Sequence, residues 1–253
     1  MGWQKGESTK LDTAAVIHAT TFSTSYNALW RSIAPTCELY VRRLNMSGLE
    51  QIERPMLESI EPGRSALISE FAFSMFVALA SNLLKGKSSL ENKELRAEAW
   101  NQTKSRLSAF STHDVGELSD LSEDEMKYAD EVCARQYRFF RARGKKIALR
   151  PIFLGCGFIE ASEGDVIVDD TIYEVKTVER AIRSSDIRQL ITYAALNYAS
   201  QQYAIDKIGI FNPRRGTACE VNLEHACDEI SGRSALDLFW QITSAISSGE
   251  ISR

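Results

Sequence analysis

The sequence predicts an α/β protein with a sheet flanked by helices, and three observations support this class. Apolar residues recur with a helical period from about residue 64 to residue 84. After Gly144 the pattern changes to short runs rich in Val, Ile and Tyr, which are typical of strands. A second helical segment, residues 185–200, separates those runs from a further strand at residues 207–212. Helix, strands, helix and strand in this order indicate an α/β domain.

The first half of the chain is predicted to be mostly helical. Residues 1–62 give a mixed pattern and are interpreted as an N-terminal elaboration of unknown role, ahead of a main domain at residues 63–253. Helices are predicted at residues 64–84, 90–110 and 125–143, and the first ends at Lys85-Gly86, a typical C-terminal signal. A polar, acidic loop at residues 111–124 separates the last two helices.

The second half is predicted to supply the sheet. Strands are expected at residues 146–154, 157–161, 164–168, 172–177, 207–212 and 219–223, and helices at residues 185–200 and 235–246. The helix at 185–200 follows Ser184-Ser185-Asp186, a suitable N-cap cluster. Gln189 and Tyr193 lie one turn apart on that helix and therefore share a face.

The segment 163–177 has the pattern of a β-hairpin with a two-residue turn at Asp169-Asp170. Continued outward from the turn, this register places Asp165 opposite Glu174, and Lys176 shares the face of Glu174. Directly opposed carboxylates cost stability in a sheet, and a divalent cation between them would remove that cost. The alternative is a structural salt bridge of Lys176 with one of the acids, because ion-pair networks also gather charges.

Three motifs in this order resemble the PD-(D/E)XK nuclease superfamily, and most closely its RecB-type exonuclease domains and related restriction-like enzymes. The motifs are Gly164-Asp165, then Glu174-Val175-Lys176-Thr177, then Gln189-Leu190-Ile191-Thr192-Tyr193. The resemblance covers residues 145–212. The chain departs from the RecB-type pattern in having Glu174 where Asp is usual, and no proline precedes Asp165.

The resemblance implies a restriction-endonuclease-like αβββαβ core with a mixed central sheet, and a phosphodiesterase that depends on Mg²⁺ or Mn²⁺. It implies that Asp165, Glu174 and the backbone carbonyl of Val175 hold the metal and that Lys176 aids the attacking water. Gln189 would bind a water or a phosphate, and Tyr193 would pack beneath Lys176. A helix ahead of the sheet often adds an acid in this superfamily. The candidate is Glu70, with Glu131 as its rival and a solvent-facing glutamate as the alternative.

Basic residues cluster around this candidate site, although the net charge of −4 does not suggest a bulk electrostatic binder of nucleic acid. One cluster runs from Arg135 to Arg150 and feeds into the predicted strands. The other residues expected to contact a phosphate backbone are Arg180, Arg183, Arg188, Arg214 and Arg215. Each cluster taken alone is also compatible with a solvated face.

The composition predicts a cytoplasmic protein without a membrane segment. The longest apolar stretch, residues 71–80, is too short to span a bilayer, and the N-terminus lacks a signal-peptide core. The five cysteines contain no Cys-x-x-Cys motif, which argues against a disulfide framework, a zinc ribbon or an iron–sulfur site.

The function predicted from these observations is metal-dependent hydrolysis of nucleic acid, with DNA as the expected substrate and defence or repair as the expected setting. The alternative is a nuclease-fold protein without catalysis that binds nucleic acid or a protein partner. An unrelated α/β protein with a structural charged hairpin is the third interpretation. A protein partner or a homo-oligomer is left open.

Overall fold

The computed structural model describes residues 16–58, 60–61, 63–84, 93–108 and 120–249 of the 253-residue chain. Its helices are α1 (Ala19–Ser25), α2 (Asn27–Ile33), α3 (Cys37–Ser47), α4 (Ser65–Leu84), α5 (Lys93–Ser108), α6 (Glu123–Arg143), α7 (Ser184–Ser200), α8 (Leu223–Ser231) and α9 (Ala235–Ser248). Its strands are β1 (Glu50–Gln51), β2 (Ile147–Leu149), β3 (Ile152–Phe153), β4 (Ser162–Glu163), β5 (Val166–Val168), β6 (Thr171–Val175), β7 (Lys207–Asn212) and β8 (Thr217–Asn222).

Six of these strands form a mixed sheet in the order β1-β8-β7-β6-β5-β2, which confirms the predicted α/β class with a mixed sheet. Strands β6 and β7 are parallel, and helix α7 connects them. The other neighbours in this sheet are antiparallel. Strands β3 and β4 pair separately as a small antiparallel sheet.

The β5–β6 hairpin has the predicted register. Its pairs are Val168 with Thr171, Ile167 with Ile172, and Val166 with Tyr173. Asp169 takes the left-handed conformation that a tight hairpin turn requires, with a φ of 51°. Its carboxylate accepts hydrogen bonds from the backbone N–H groups of Lys145 and Lys146, which ties the turn to the chain entering β2.

The strand predicted at residues 146–154 is wrong in its length, because Arg150 interrupts it. Arg150 has a φ of 51°, so the chain turns between β2 and β3 instead of continuing straight. The strand predicted at residues 157–161 is also wrong. Ile159 makes isolated bridges to Ile17 and Cys156, and Gly157 has a left-handed φ of 55°.

The sheet separates two hydrophobic clusters. One contains buried side chains of α1–α3 and α7–α9, including Trp30, together with Ile167 and Ile172 from the hairpin. The other contains buried side chains of α4–α6, including Trp100, together with Val166 and Tyr173. Alternate hairpin residues therefore face opposite clusters, as a strand covered on both sides requires. The segment interpreted as an N-terminal elaboration contributes α1–α3 to the first cluster.

Helix α4 begins close to the prediction, and its apolar part is longer than the predicted stretch at residues 71–80. Within the described ranges, its segment 65–83 is long and apolar enough to cross a membrane by length and composition, and half of it is buried in the protein. Ile68, Phe71 and Phe76 belong to the second cluster, so these side chains have partners within the fold. The predicted helix end at Lys85-Gly86, residues 90–92 and 109–110 of the next predicted helix and most of the predicted acidic loop lie outside the described residues.

Candidate active site

Asp165 lies directly before β5, one position beyond the last hairpin pair. Its Oδ2 accepts a hydrogen bond from the backbone N–H of Val175 at 2.7 Å. Its backbone carbonyl accepts one from the N–H of Arg150 at 2.8 Å. The first bond spans the hairpin and holds the carboxylate against the end of β6, where Glu174 and Lys176 lie.

Glu174 and Lys176 join Asp165 in what we call the acid–lysine cluster. Glu174 is 5% exposed. The Lys176 Nζ donates to Glu174 Oε1 at 2.7 Å and to Gln189 Oε1 at 3.1 Å. The structure therefore brings the predicted residues of the hairpin and of α7 to one place.

Gln189 and Tyr193 connect Lys176 by hydrogen bonds to the segment just before Asp165. Gln189 Nε2 donates to the Tyr193 hydroxyl at 2.9 Å, and that hydroxyl donates to the backbone carbonyl of Glu163 at 2.9 Å. Both side chains are buried, and the Tyr193 ring stacks on Phe153. Tyr193 was expected to pack beneath Lys176, and the structure instead connects it to Lys176 through Gln189.

The electrostatics of the acid–lysine cluster are unbalanced. Burial and the nearby charge of Glu174 raise the pKa of Asp165 to about 8, and Lys176 offsets only part of this. Burial by itself would lower the pKa of Lys176, but Glu174 and Asp165 outweigh it and raise that pKa above its ordinary value. The ammonium group is therefore protonated at neutral pH and is bonded to Glu174, whereas the Asp165 carboxyl keeps most of its proton there.

These donors suit a hard cation. Two carboxylates and a backbone carbonyl are oxygen ligands, and Mg²⁺ takes few protein oxygens while keeping several waters. Across the described ranges, no group of three or more His, Cys, Asp or Glu side chains is gathered as a metal centre. Burial and Glu174 raise the pKa of Asp165, and a positive charge beside the carboxylate would offset that rise. The residues thus fit Mg²⁺ and do not fit a closed zinc site.

The structure places Glu70, the predicted additional metal ligand, with arginines. Its Oε1 accepts from Arg150 Nη2 at 2.9 Å and lies 3.8 Å from Arg106 Nε. Its rival Glu131 is paired with Arg135 at 2.7 Å and with Arg138 at 3.2 Å. Each acid is neutralised by guanidinium groups, so neither is gathered with Asp165 and Glu174.

The structure buries Arg188 and Arg214, two of the arginines expected to contact nucleic acid. Arg188 is 8% exposed, and it donates to Asn27 Oδ1 at 3.1 Å. Arg214 is 9% exposed, donates to the Tyr128 hydroxyl at 3.0 Å and pairs with Glu179. Both guanidinium groups hold the fold together and are not open to a phosphate backbone.

Three further arginines differ in their availability. Arg180 is paired with Asp186 through two hydrogen bonds of 2.6 and 2.9 Å. Arg183 is exposed, and Arg215 is partly exposed. A small cavity of about 10 Å³ beside the acid–lysine cluster is lined by Lys176, Arg180 and Arg215 among others. Of these three arginines, Arg183 is the one in the exposed class, and Arg215 lines the cavity without being buried.

Helix α1 contributes residues that the sequence did not indicate. The Ala19 N–H donates to Ser162 Oγ at 3.1 Å, and Gln189 Nε2 lies 3.5 Å from Thr20 Oγ1. These partners are more than 140 residues apart in the chain, so no local spacing could have predicted the contact.

No protein-family model, curated protein or solved structure matches this chain. The geometry of the acid–lysine cluster is accordingly the basis for assigning a function.

Proposed function

We propose that this protein is a metal-dependent nuclease with a restriction-endonuclease-like core, acting on DNA. The observation that carries the proposal is the meeting of buried Glu174 with the partly buried Asp165 and Lys176, with Gln189 bonded to Lys176. A hairpin inside a sheet that is covered on both faces has no structural need for two neighbouring acids. Such acids cost stability unless they serve a ligand.

Each residue has a role in this proposal. Asp165, Glu174 and the carbonyl of Val175 hold Mg²⁺, which when bound polarises the scissile phosphate and lowers the pKa of a water. Because its pKa is raised, Lys176 acts as a fixed positive charge that stabilises the developing negative charge and does not act as a proton acceptor. Gln189 and Tyr193 orient the Lys176 side chain through their hydrogen bonds.

A cleavage screen tests the proposal. Linear duplex, circular duplex, single-stranded DNA and RNA are incubated with the protein and Mg²⁺, Mn²⁺ or Ca²⁺. We expect cleavage of DNA with Mg²⁺ or Mn²⁺, and binding without cleavage with Ca²⁺, because Ca²⁺ takes more ligands in looser geometry. Asp165→Asn should be inactive, and the matched control Asp130→Asn, in a pair with Arg96, should remain active. Equal cleavage by wild type and Asp165→Asn would overturn the proposal.

One contact favours the third interpretation, an unrelated α/β protein whose charged hairpin is structural. The 2.7 Å pair of Lys176 with Glu174 is the salt bridge that a purely structural cluster would contain. Calorimetry separates the two: a catalytic site takes up Mn²⁺ at millimolar concentration or below, whereas a structural salt bridge takes up none.

A further inference from the structure

Arg150 connects helix α4 to the loop that carries Asp165. Its backbone N–H donates to the carbonyl of Asp165 at 2.8 Å, so the residue sits directly beside the acid–lysine cluster. Its φ of 51° lies in the left-handed region, which a residue with a Cβ adopts only when its surroundings enforce it. The hydrogen bond from the Arg150 N–H to the Asp165 carbonyl is therefore expected to depend on the contacts of the Arg150 side chain.

The guanidinium group of Arg150 is held by four side chains. It donates to Glu70 Oε1 at 2.9 Å, to Ser74 Oγ at 3.0 Å and to Glu163 Oε1 at 3.2 Å. It also lies 4.7 Å over the ring of Phe73. Only a planar fork with five donors can serve these acceptors together, and the single ammonium of lysine cannot.

Glu163 accepts hydrogen bonds from two arginines, Arg106 and Arg150. Its carboxylate accepts two bonds from Arg106, at 2.6 and 2.7 Å, as well as the bond from Arg150. Its backbone carbonyl accepts the Tyr193 hydroxyl at 2.9 Å. The segment just before Asp165 is thus fixed by α4 and α5 through arginines, and by α7 through Tyr193.

We infer that Arg150 is a positioning residue that sets the backbone of Asp165 for metal binding, and that Glu70 acts through Arg150 and not as a ligand. The inference rests on the proposed function, since it names a support of the same site. The ion pair from Glu70 fixes the guanidinium, the guanidinium fixes Glu163, and the Arg150 N–H fixes the Asp165 carbonyl. Asp165 Oδ2 then meets the Val175 N–H.

The test uses Arg150→Lys, Glu70→Gln and their double variant, with Arg96→Lys as a matched control. Arg96 pairs with Asp130 at 2.9 Å between α5 and α6, so the control also replaces an arginine in a partly buried pair between elements. Two quantities are measured on the full chain. One is the Kd for Mn²⁺ by calorimetry, and the other is amide hydrogen exchange at Val175 in metal-free protein.

Residues that orient metal ligands typically change metal affinity by about 10- to 100-fold when replaced. We expect Arg150→Lys to raise the Kd for Mn²⁺ at least about tenfold and to speed exchange of the Val175 amide. Glu70→Gln should act in the same direction to a smaller extent. The double variant should bind Mn²⁺ no more weakly than Arg150→Lys, and Arg96→Lys should leave both quantities unchanged.

Three results would count against the inference. Unchanged Kd and exchange in Arg150→Lys would remove the positioning role. If the fold-change in Kd for Mn²⁺ of the double variant equals the product of the two single fold-changes, the two residues act independently. Glu70 would then be a direct ligand again. If Arg150→Lys does not fold, an unchanged Val175 exchange rate in Glu70→Gln would overturn it. Failure of wild type to bind Mn²⁺ defeats the proposed function, and the exchange rates then still decide whether Arg150 positions Asp165.

Discussion

The acid–lysine cluster and the basic run at residues 135–150 are both dense in charge, but their charges are arranged in opposite ways. In the basic run, four arginines have carboxylate partners: Arg135 with Glu131, Arg138 with Glu53, Arg143 with Glu50, and Arg150 with Glu70. In the acid–lysine cluster, two acids share one ammonium, and the pKa of Asp165 is raised. Matched charges support a fold, whereas a desolvated acid with a raised pKa beside a second acid makes a candidate for a functional site.

The largest expected effect is loss of activity from the acid–lysine cluster. Asp165→Ala, Glu174→Ala and Lys176→Ala should each lower the rate of DNA cleavage by about 10³-fold or more, since each removes a fixed charge at the reacting centre. Circular dichroism should show an intact fold. The control Arg138→Ala, a half-exposed member of the basic run, should cleave at the wild-type rate. A similar loss of cleavage rate in Arg138→Ala would mean that the acid–lysine cluster and the basic run do not differ in their role.

The basic run should respond in stability. Arg135 is 9% exposed and donates to the carbonyls of Arg54 and Pro213 as well as to Glu131. Removing one partner of such a buried network leaves the others unsatisfied and costs about 3 kcal/mol. Arg135→Ala should therefore lower the free energy of unfolding by about this amount in urea titrations. A loss below about 0.5 kcal/mol would mean that solvent replaces these contacts.

The acid–lysine cluster should give the opposite response, with a dependence on pH. The pKa of Asp165 is about 8 in the folded chain and about 4 in an unfolded one. Between these values the folded chain binds more protons, so the free energy of unfolding of metal-free protein falls as the pH rises. Asp165→Asn, which keeps an acceptor for the Val175 N–H, should flatten this decline and be more stable than wild type at pH 8.

Urea titrations of both proteins in chelator, from about pH 4 to pH 8, measure the decline. The same slope in wild type and Asp165→Asn would place the titrating group elsewhere. Saturating Mg²⁺ should restore the stability of wild type at the upper end of the range, because it favours the ionised carboxylate.

Gln189 tests how far the cluster extends onto α7. Its side chain bonds Lys176 and Tyr193 and is buried, so under the proposed function it would act through them. Gln189→Ala should lower kcat by about tenfold and leave KM for DNA within about twofold. A rise in KM with an unchanged kcat would instead assign Gln189 to substrate binding.

The smallest expected effect concerns Arg183 and Arg215. Each replacement by Ala should weaken DNA binding for all sequences and reduce the slope of log K against log salt by about one. Lys207→Ala is the matched control, because it removes a basic residue far from the candidate site. Lys207 lies at the start of β7, whereas Val175 pairs with Phe211 at the other end of the same ladder. An unchanged salt slope for both arginine variants would mean that DNA approaches by another surface.

The sequence predicted the hairpin well because its determinants are local. The turn at Asp169-Asp170 and the alternation on each side define one register, and Lys176 shares the face of Glu174. The positions of Gln189 and Tyr193 on one face of α7 follow from helical spacing in the same way. Both predictions depended only on local contacts, within one hairpin in the first case and within one helix in the second.

The partners of the arginines could not be predicted because they lie far away in the chain. Arg214 bonds Tyr128 across 86 residues, and Arg188 bonds Asn27 across 161 residues. A charge pattern alone does not distinguish a guanidinium that is buried by such a contact from one that faces solvent. The turn at Arg150 was missed for the same reason, since its partners Glu70 and Glu163 lie 80 and 13 residues away in the chain.

The placement of tryptophans on opposite sides of the sheet gives the molecule two separate optical reporters. Trp30 belongs to the cluster formed with α7–α9, Trp100 belongs to the cluster formed with α4–α6, and Trp240 is exposed. With Trp3 and Trp240 replaced by Phe, removing either remaining tryptophan leaves emission from one layer only. Fluorescence during refolding then shows whether the cluster on the side of α7 and the cluster on the side of α4 exclude water at the same time or one after the other.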